Sequence, residues 1–141
     1  MHEGRTREAD LLMHVEVTQK VEYPAEDVWR LLVDTSTWAD WGPSVKEVES
    51  SERRIREGTE GRVRVPGGVW VPFEITQLDE GDTEAFWKWD VGRIPATGHR
   101  VERLTGGSCR LTFEVPVYAA GYAPVCRRAI GKIEGILSEG R

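Results

Sequence analysis

Apolar residues change period along the first third of the chain. Between Leu12 and Glu22, Met13, Val15, Val17 and Val21 fall mostly on one parity, the alternation of a half-buried strand. Pro24 then presets φ for a first helical turn, Glu26 and Asp27 place acid at the positive end of a helix, and Val28, Leu31 and Leu32 form its buried stripe. Asp34 to Gly42 carries Trp38 and Trp41 and stops at Gly42-Pro43, which breaks any helix. A compact turn or a second short helix is expected there.

From Ser44 onward, strand-like segments at about 45–56, 60–66, 69–79, 83–92, 97–104 and 108–117 alternate with glycine turns. No helical stretch interrupts them, so the sheet is expected to be an antiparallel meander. The period changes again at the end. Val125, Cys126, Ala129, Ile130, Ile133, Ile136 and Leu137 recur at helical spacing, with Gly131 and Gly135 on the opposite face. Two glycines weaken a helix, so packing across the sheet must hold it. The fold class is therefore α+β: a curved seven-stranded antiparallel sheet on a C-terminal helix, with two short helices between strands 1 and 2.

Residues directly opposite in an antiparallel pair share a face, which allows a register to be proposed. With three-residue loops at Gly67-Gly68-Val69, Glu80-Gly81-Asp82 and Thr105-Gly106-Gly107, Arg62 faces Glu74, Glu74 faces Lys88, and Glu102 faces Arg110. The connection around Pro95 can then be set so that Lys88 faces Glu102 and Asp90 faces Arg100. The outer face becomes a row of alternating charge, each pair contributing about 0.2–1 kcal/mol. The other parity turns inward: Val63, Val65, Val71, Phe73, Ile75, Trp87, Trp89, Val91, Val101, Leu111, Phe113 and Val115. Only His99 and Arg103 interrupt that apolar face, and each needs a polar partner, water or ligand.

Composition narrows the function classes. The 141 residues suit one domain, expected at 11–138 after a charged tail at 1–10. That tail lacks the apolar stretch of a signal peptide and no run suffices for a membrane span, so a cytoplasmic protein is expected. A net charge of −5 argues against a nucleic-acid partner despite the local pairs Arg53-Arg54 and Arg127-Arg128. Cys109 and Cys126 are too few for a disulfide framework and read as packed thiols. His2, His14 and His99 are the only histidines and show no ligand spacing, so neither a metal nor a cofactor is expected. No Gly-x-Ser-x-Gly nucleophile elbow occurs, and the glycine pairs are hairpin turns rather than phosphate loops.

The order of elements resembles the helix-grip fold of the SRPBCC superfamily, which includes START lipid-transfer domains, Bet v 1-like proteins and polyketide cyclases. Residues 21–29 (Val-Glu-Tyr-Pro-Ala-Glu-Asp-Val-Trp) are similar to its strand-to-helix turn, 38–43 to its tryptophan-rich turn, and 106–114 to its last hairpin. The resemblance spans about residues 11–138. It implies a ligand between the concave face and the C-terminal helix, lined by Phe73, Trp87, Trp89, His99, Val101, Arg103 and Phe113, with Trp41, Tyr118 and Tyr122 near the mouth.

Each of these residues also has a plain structural reading: the tryptophans as core, His99 as a satisfied buried imidazole, Arg103 as a rim side chain with its head in water. The resemblance implies three functions. One is binding or carriage of an apolar or aromatic small molecule. Another is an aromatase/cyclase-like enzyme in which His99 moves a proton and Arg103 holds an oxyanion. The last is a protein-binding module of co-chaperone type.

Overall fold

The computed structural model describes residues 14–140. The tail expected at 1–10, and Leu12 and Met13 of the first strand, lie outside the described residues. β1 (His14–Val21) leads into α1 (Ala25–Val33), where Pro24 stands as N-cap at φ −59° and its carbonyl accepts from the Asp27 and Val28 amides. Ala25, Val28, Leu31, Leu32 and Val33 are buried, as the sequence stripe requires. A 3₁₀ turn at Thr35–Thr37, capped by the Asp34 side chain, passes into the short α2 (Trp38–Trp41).

Six strands follow: β2 (Glu47–Ser50), β3 (Glu60–Arg64), β4 (Trp70–Glu80), β5 (Glu84–Val91), β6 (Ile94–Arg103) and β7 (Cys109–Pro116). Every pairing is antiparallel, in the spatial order β1-β7-β6-β5-β4-β3-β2. After a 3₁₀ stretch at Val117–Tyr122, α3 (Ala123–Ser138) closes the chain. Register shifts between Ile75 and Gln77 on β4, and between Lys88 and Asp90 on β5, mark irregularities that bend and twist strands. The sheet therefore curves, and α3 buries Cys126, Ile130 and Ile133 in its grip. Gly131 and Gly135 face solvent, as their helical positions demand. None of the described helices is long and apolar enough to cross a membrane.

The charge ladder is corrected by the structure. Only the last hairpin has the expected register, with Glu102 opposite Arg110 around Thr105-Gly106-Gly107. Arg62 faces Pro72 rather than Glu74, Glu74 faces Asp90 rather than Lys88, Lys88 faces Gly98, and Arg100 faces Phe86 rather than Asp90. The loop after β3 is Pro66-Gly67-Gly68, enclosed by the Val65–Val69 bond, and the turn after β4 runs through Gly81 to Glu84. β5 and β6 are joined by the two-residue turn Gly92-Arg93, whose φ values of 62° and 67° match a type I′ hairpin, so β6 starts at Ile94 instead of 97. The strand expected over 45–56 is confined to Glu47–Ser50, with Arg54 bridging Asp34 beyond it.

The slips at these four positions are even, which leaves those side chains on their faces, whereas past the irregularities they are odd: Gln77 faces Lys88, Asp90 faces Pro95, and Leu78 packs against the core. Val63, Phe73, Ile75, Trp87, Val101, Leu111, Phe113 and Val115 are all buried, as parity predicts. The outer face remains charged, with different pairs. Arg100 reaches Glu114 at 2.6 Å, Glu84 at 3.3 Å and Glu16 at 3.9 Å, while Arg62 pairs with Glu49 at 2.8 Å.

Candidate functional site

Trp87 and Trp89 lie two residues apart on β5, so both rings enter the concave side. Trp38 of α2 meets them there. Its ring stacks on Trp87 at 5.4 Å and 9°, meets Trp89 edge-on at 5.3 Å, and lies 5.5 Å from Phe73. Such pairs contribute about 0.5–1.5 kcal/mol each beyond their burial. Trp38 did not figure among the expected lining residues. The signal that could have found it is the three-residue spacing to Trp41, which puts both indoles on one side of a short helix. The two are anchored alike: Trp38 Nε1–H donates to the Leu32 carbonyl at 2.9 Å and Trp41 Nε1–H to the Leu31 carbonyl at 3.1 Å.

Across the β5–β6 pair, His99 sits opposite Trp87 and is 2% exposed. Three hydrogen bonds assign its protons. The Trp87 carbonyl can only accept, so His99 Nδ1 carries hydrogen and donates to it at 3.2 Å. Trp89 Nε1–H donates to Thr97 Oγ1 at 3.1 Å, which leaves the threonine hydroxyl free to donate to His99 Nε2 at 3.0 Å. The imidazole is neutral, and both nitrogens are engaged. Burial pushes its pKa down to about 3, against the opposing influence of the Trp87 carbonyl.

Trp41, Trp87, Trp89, His99, Phe113 and Tyr122 converge on one cavity of about 40 Å³, closed by Gly42–Val45 and the first turn of α3. That volume would hold on the order of three water molecules, against roughly 300–1,000 Å³ for pockets that take larger ligands. The Ser44 and Tyr122 hydroxyls, both on cavity-lining residues, bond each other and join the loop after α2 to the start of α3. Burial raises the Tyr122 phenol pKa, so that hydroxyl stays protonated. Among the described residues, Trp87 Nε1 is the one buried side-chain polar atom with no hydrogen-bond partner.

The remaining expected residues lie elsewhere. Phe73 stands behind Trp38 and Trp89, and does not border the cavity. Val101 and Arg103 line a separate groove of about 140 Å³, shared with Glu26 and Trp29. There Arg103 Nη1 bonds Glu26 at 2.7 Å and Nε bonds the Asp82 carbonyl at 3.1 Å, with nearly half of its side chain in solvent. That contact holds the Glu26 carboxyl below its usual pKa. Tyr118 is 63% exposed, its hydroxyl donating to the Pro95 carbonyl. His99 and Arg103 thus face different spaces.

Other reactive groups are muted. Cys109 and Cys126 are buried and unpaired, and burial raises both thiols to about 11, away from the thiolate a nucleophile needs. Among the described residues, no cluster of three or more His, Cys, Asp or Glu could hold a metal ion.

Solved structures with this architecture are numerous. The chain superposes on protein MLL2253 from Mesorhizobium loti with a TM-score of 0.68 at 15% identity, over 91% of this chain and 98% of that one. For hypothetical protein jhp0584 from Helicobacter pylori the TM-score is 0.68 at 14% identity, over 87% and 85%. A protein from Arthrobacter aurescens gives 0.66 at 16%, over 92% and 88%. At such identities the likeness concerns the fold alone. No functionally curated protein matches the chain in sequence. The family described as "Polyketide cyclase / dehydrase and lipid transport" matches residues 13–136, nearly the full length, and the chain belongs to that family.

Proposed function

We propose that this protein binds an apolar small molecule, lipid or polyketide-like, in an enlarged form of the cavity between the sheet and α3. The observation that carries the reading is the cavity wall: Trp41, Trp87, Trp89, His99 and Phe113 surround it and no charged side chain does. Buried aromatic walls with a few polar groups are the usual makeup of small-molecule sites. The family's description, which names lipid transport, supports the same reading. The interlocked rings of Trp38, Trp87 and Trp89 leave little give on the sheet side. Any such ligand, a single ring included, therefore makes room by parting Gly42–Val45 from Tyr122.

A cyclase-like reaction through His99 and Arg103 has weaker support, because the two residues line different spaces and Arg103 is engaged by Glu26. Titration of tryptophan fluorescence with polycyclic aromatic ketones and long-chain alcohols tests the binding reading. Saturable quenching at a single site is the expected result, and a signal unmoved by every compound would overturn it.

A further inference from the structure

We infer that the ligand is an uncharged aromatic molecule bearing a hydrogen-bond-accepting oxygen, which takes the Trp87 indole N–H, and that carboxylate-bearing lipids are excluded. This rests on the binding proposed above and narrows it to a chemical class.

The first support is the orphaned donor. Trp87 is 1% exposed and part of the cavity wall, yet its Nε1–H has no partner. The other three cavity indoles, Trp38, Trp41 and Trp89, all have acceptors within the protein. A buried donor without an acceptor is unfavourable by about 1–3 kcal/mol, so an oxygen brought to Trp87 recovers what no protein group supplies.

The second support is the absence of positive charge on the wall. None of the residues around the cavity is Lys or Arg. His99 adds no charge, since Nδ1–H is held by a carbonyl and Nε2 by the Thr97 hydroxyl. Arg103 is committed to Glu26 in the outer groove. The start of α3 also borders the cavity, but Pro124 has no N–H and the Ala123 amide bonds the Ala120 carbonyl, so two of its four first-turn positions have no amide to give a carboxylate. A buried carboxylate would meet no positively charged side chain there, which is strongly unfavourable. The third support is ring chemistry. The faces of Trp87 are engaged by His99 and Trp38, while Phe113 and Trp41 stand nearly perpendicular to His99, so an aromatic ligand finds rings for edge-to-face contact in that wall.

Three probes of one ring and nearly one shape separate these claims: acetophenone has the acceptor, cumene lacks it, and benzoate carries charge. Affinities are measured by titration at pH 7 on the full chain, with tryptophan indole N–H signals followed by ¹H–¹⁵N NMR. Acetophenone is expected to bind about tenfold more tightly than cumene and to move the Trp87 indole signal, and benzoate to show no saturable binding. Trp87→Phe should erase the preference for acetophenone. If that variant does not fold, the Trp87 signal of the unaltered protein gives the same reading. Equal binding of acetophenone and cumene with an unmoved Trp87 signal, or benzoate binding as tightly as acetophenone, overturns the inference and leaves the binding function intact. No binding by any of the three, nor by the larger ketones and alcohols, overturns the binding function itself.

Discussion

The His99 imidazole stacks on the Trp87 indole at 3.9 Å and 27° while donating to the carbonyl of that same residue. One residue thus fixes both the ring plane and the tautomer of the other, and both are buried. In the unfolded chain His99 regains an ordinary pKa near 6.5, whereas in the fold it stays neutral to about 3.

That difference sets a pH dependence of stability. Below 6.5 the unfolded state binds a proton that the folded state refuses, so stability is full above 6.5 and is lost as pH falls toward 3. The slope approaches about 1.4 kcal/mol per pH unit for one proton. Urea denaturation between pH 7 and 5, above the range where carboxylates titrate, should show this fall, and His99→Gln should flatten it. An equally steep decline in the variant would place the proton uptake elsewhere.

The Ser44–Tyr122 hydroxyl pair ties the loop after α2 to α3 at the cavity wall, where the proposed opening would take place. Tyr122→Phe removes the bond and keeps the ring, so it should lower unfolding free energy by about 0.5–1.5 kcal/mol. Ligand association, followed by stopped-flow fluorescence, should become faster because the mouth opens more readily. An unchanged association rate would mean that entry lies elsewhere.

Arg103 is a rim residue whose partner Glu26 is exposed. Arg103→Ala is expected to leave acetophenone affinity within about twofold of the parent protein, because distant sites without shared partners act independently. A large loss of affinity would bring Arg103 into the binding site after all.

Two glycines should respond in opposite senses to alanine. At Gly61 an added Cβ would lie 2.2 Å from the Glu49 carbonyl oxygen and 2.9 Å from the Phe73 ring, so Gly61→Ala should destabilise by about 1–3 kcal/mol. At Gly131 nothing lies within 4 Å, and Gly131→Ala should stabilise α3 by about 0.5–1 kcal/mol. Denaturant midpoints of the two variants give the comparison.

Much of this molecule is legible in its residue pattern because period is a local property. The alternation at Val15, Val17 and Val21 and the 3.6-residue recurrence from Cys126 to Leu137 state which face is buried, and no long-range contact is needed to read them. The Thr105-Gly106-Gly107 loop is legible for a similar reason, since its two glycines carry the positive φ values of 80° and 74° that the turn needs. The Gly92-Arg93 turn is not legible in the same way, because Arg93 adopts φ 67° without the glycine or asparagine that usually marks such a position.

The sequence by itself determined the class of fold, the face each strand turns inward and the apolar stripe of each helix, since these follow from side-chain period alone. Which strand residues stand opposite one another was decided only in three dimensions, because a two-residue slip preserves every face while bulges and turn geometry choose among the slips. The tertiary structure also decided what His99 and Arg103 do. Both share the inward parity, but His99 lies mid-strand under Trp87 and is sealed neutral, while Arg103 sits at the strand's end within reach of Glu26 and water. Burial depends on where a strand ends and what packs over it, and no pattern along one strand contains that.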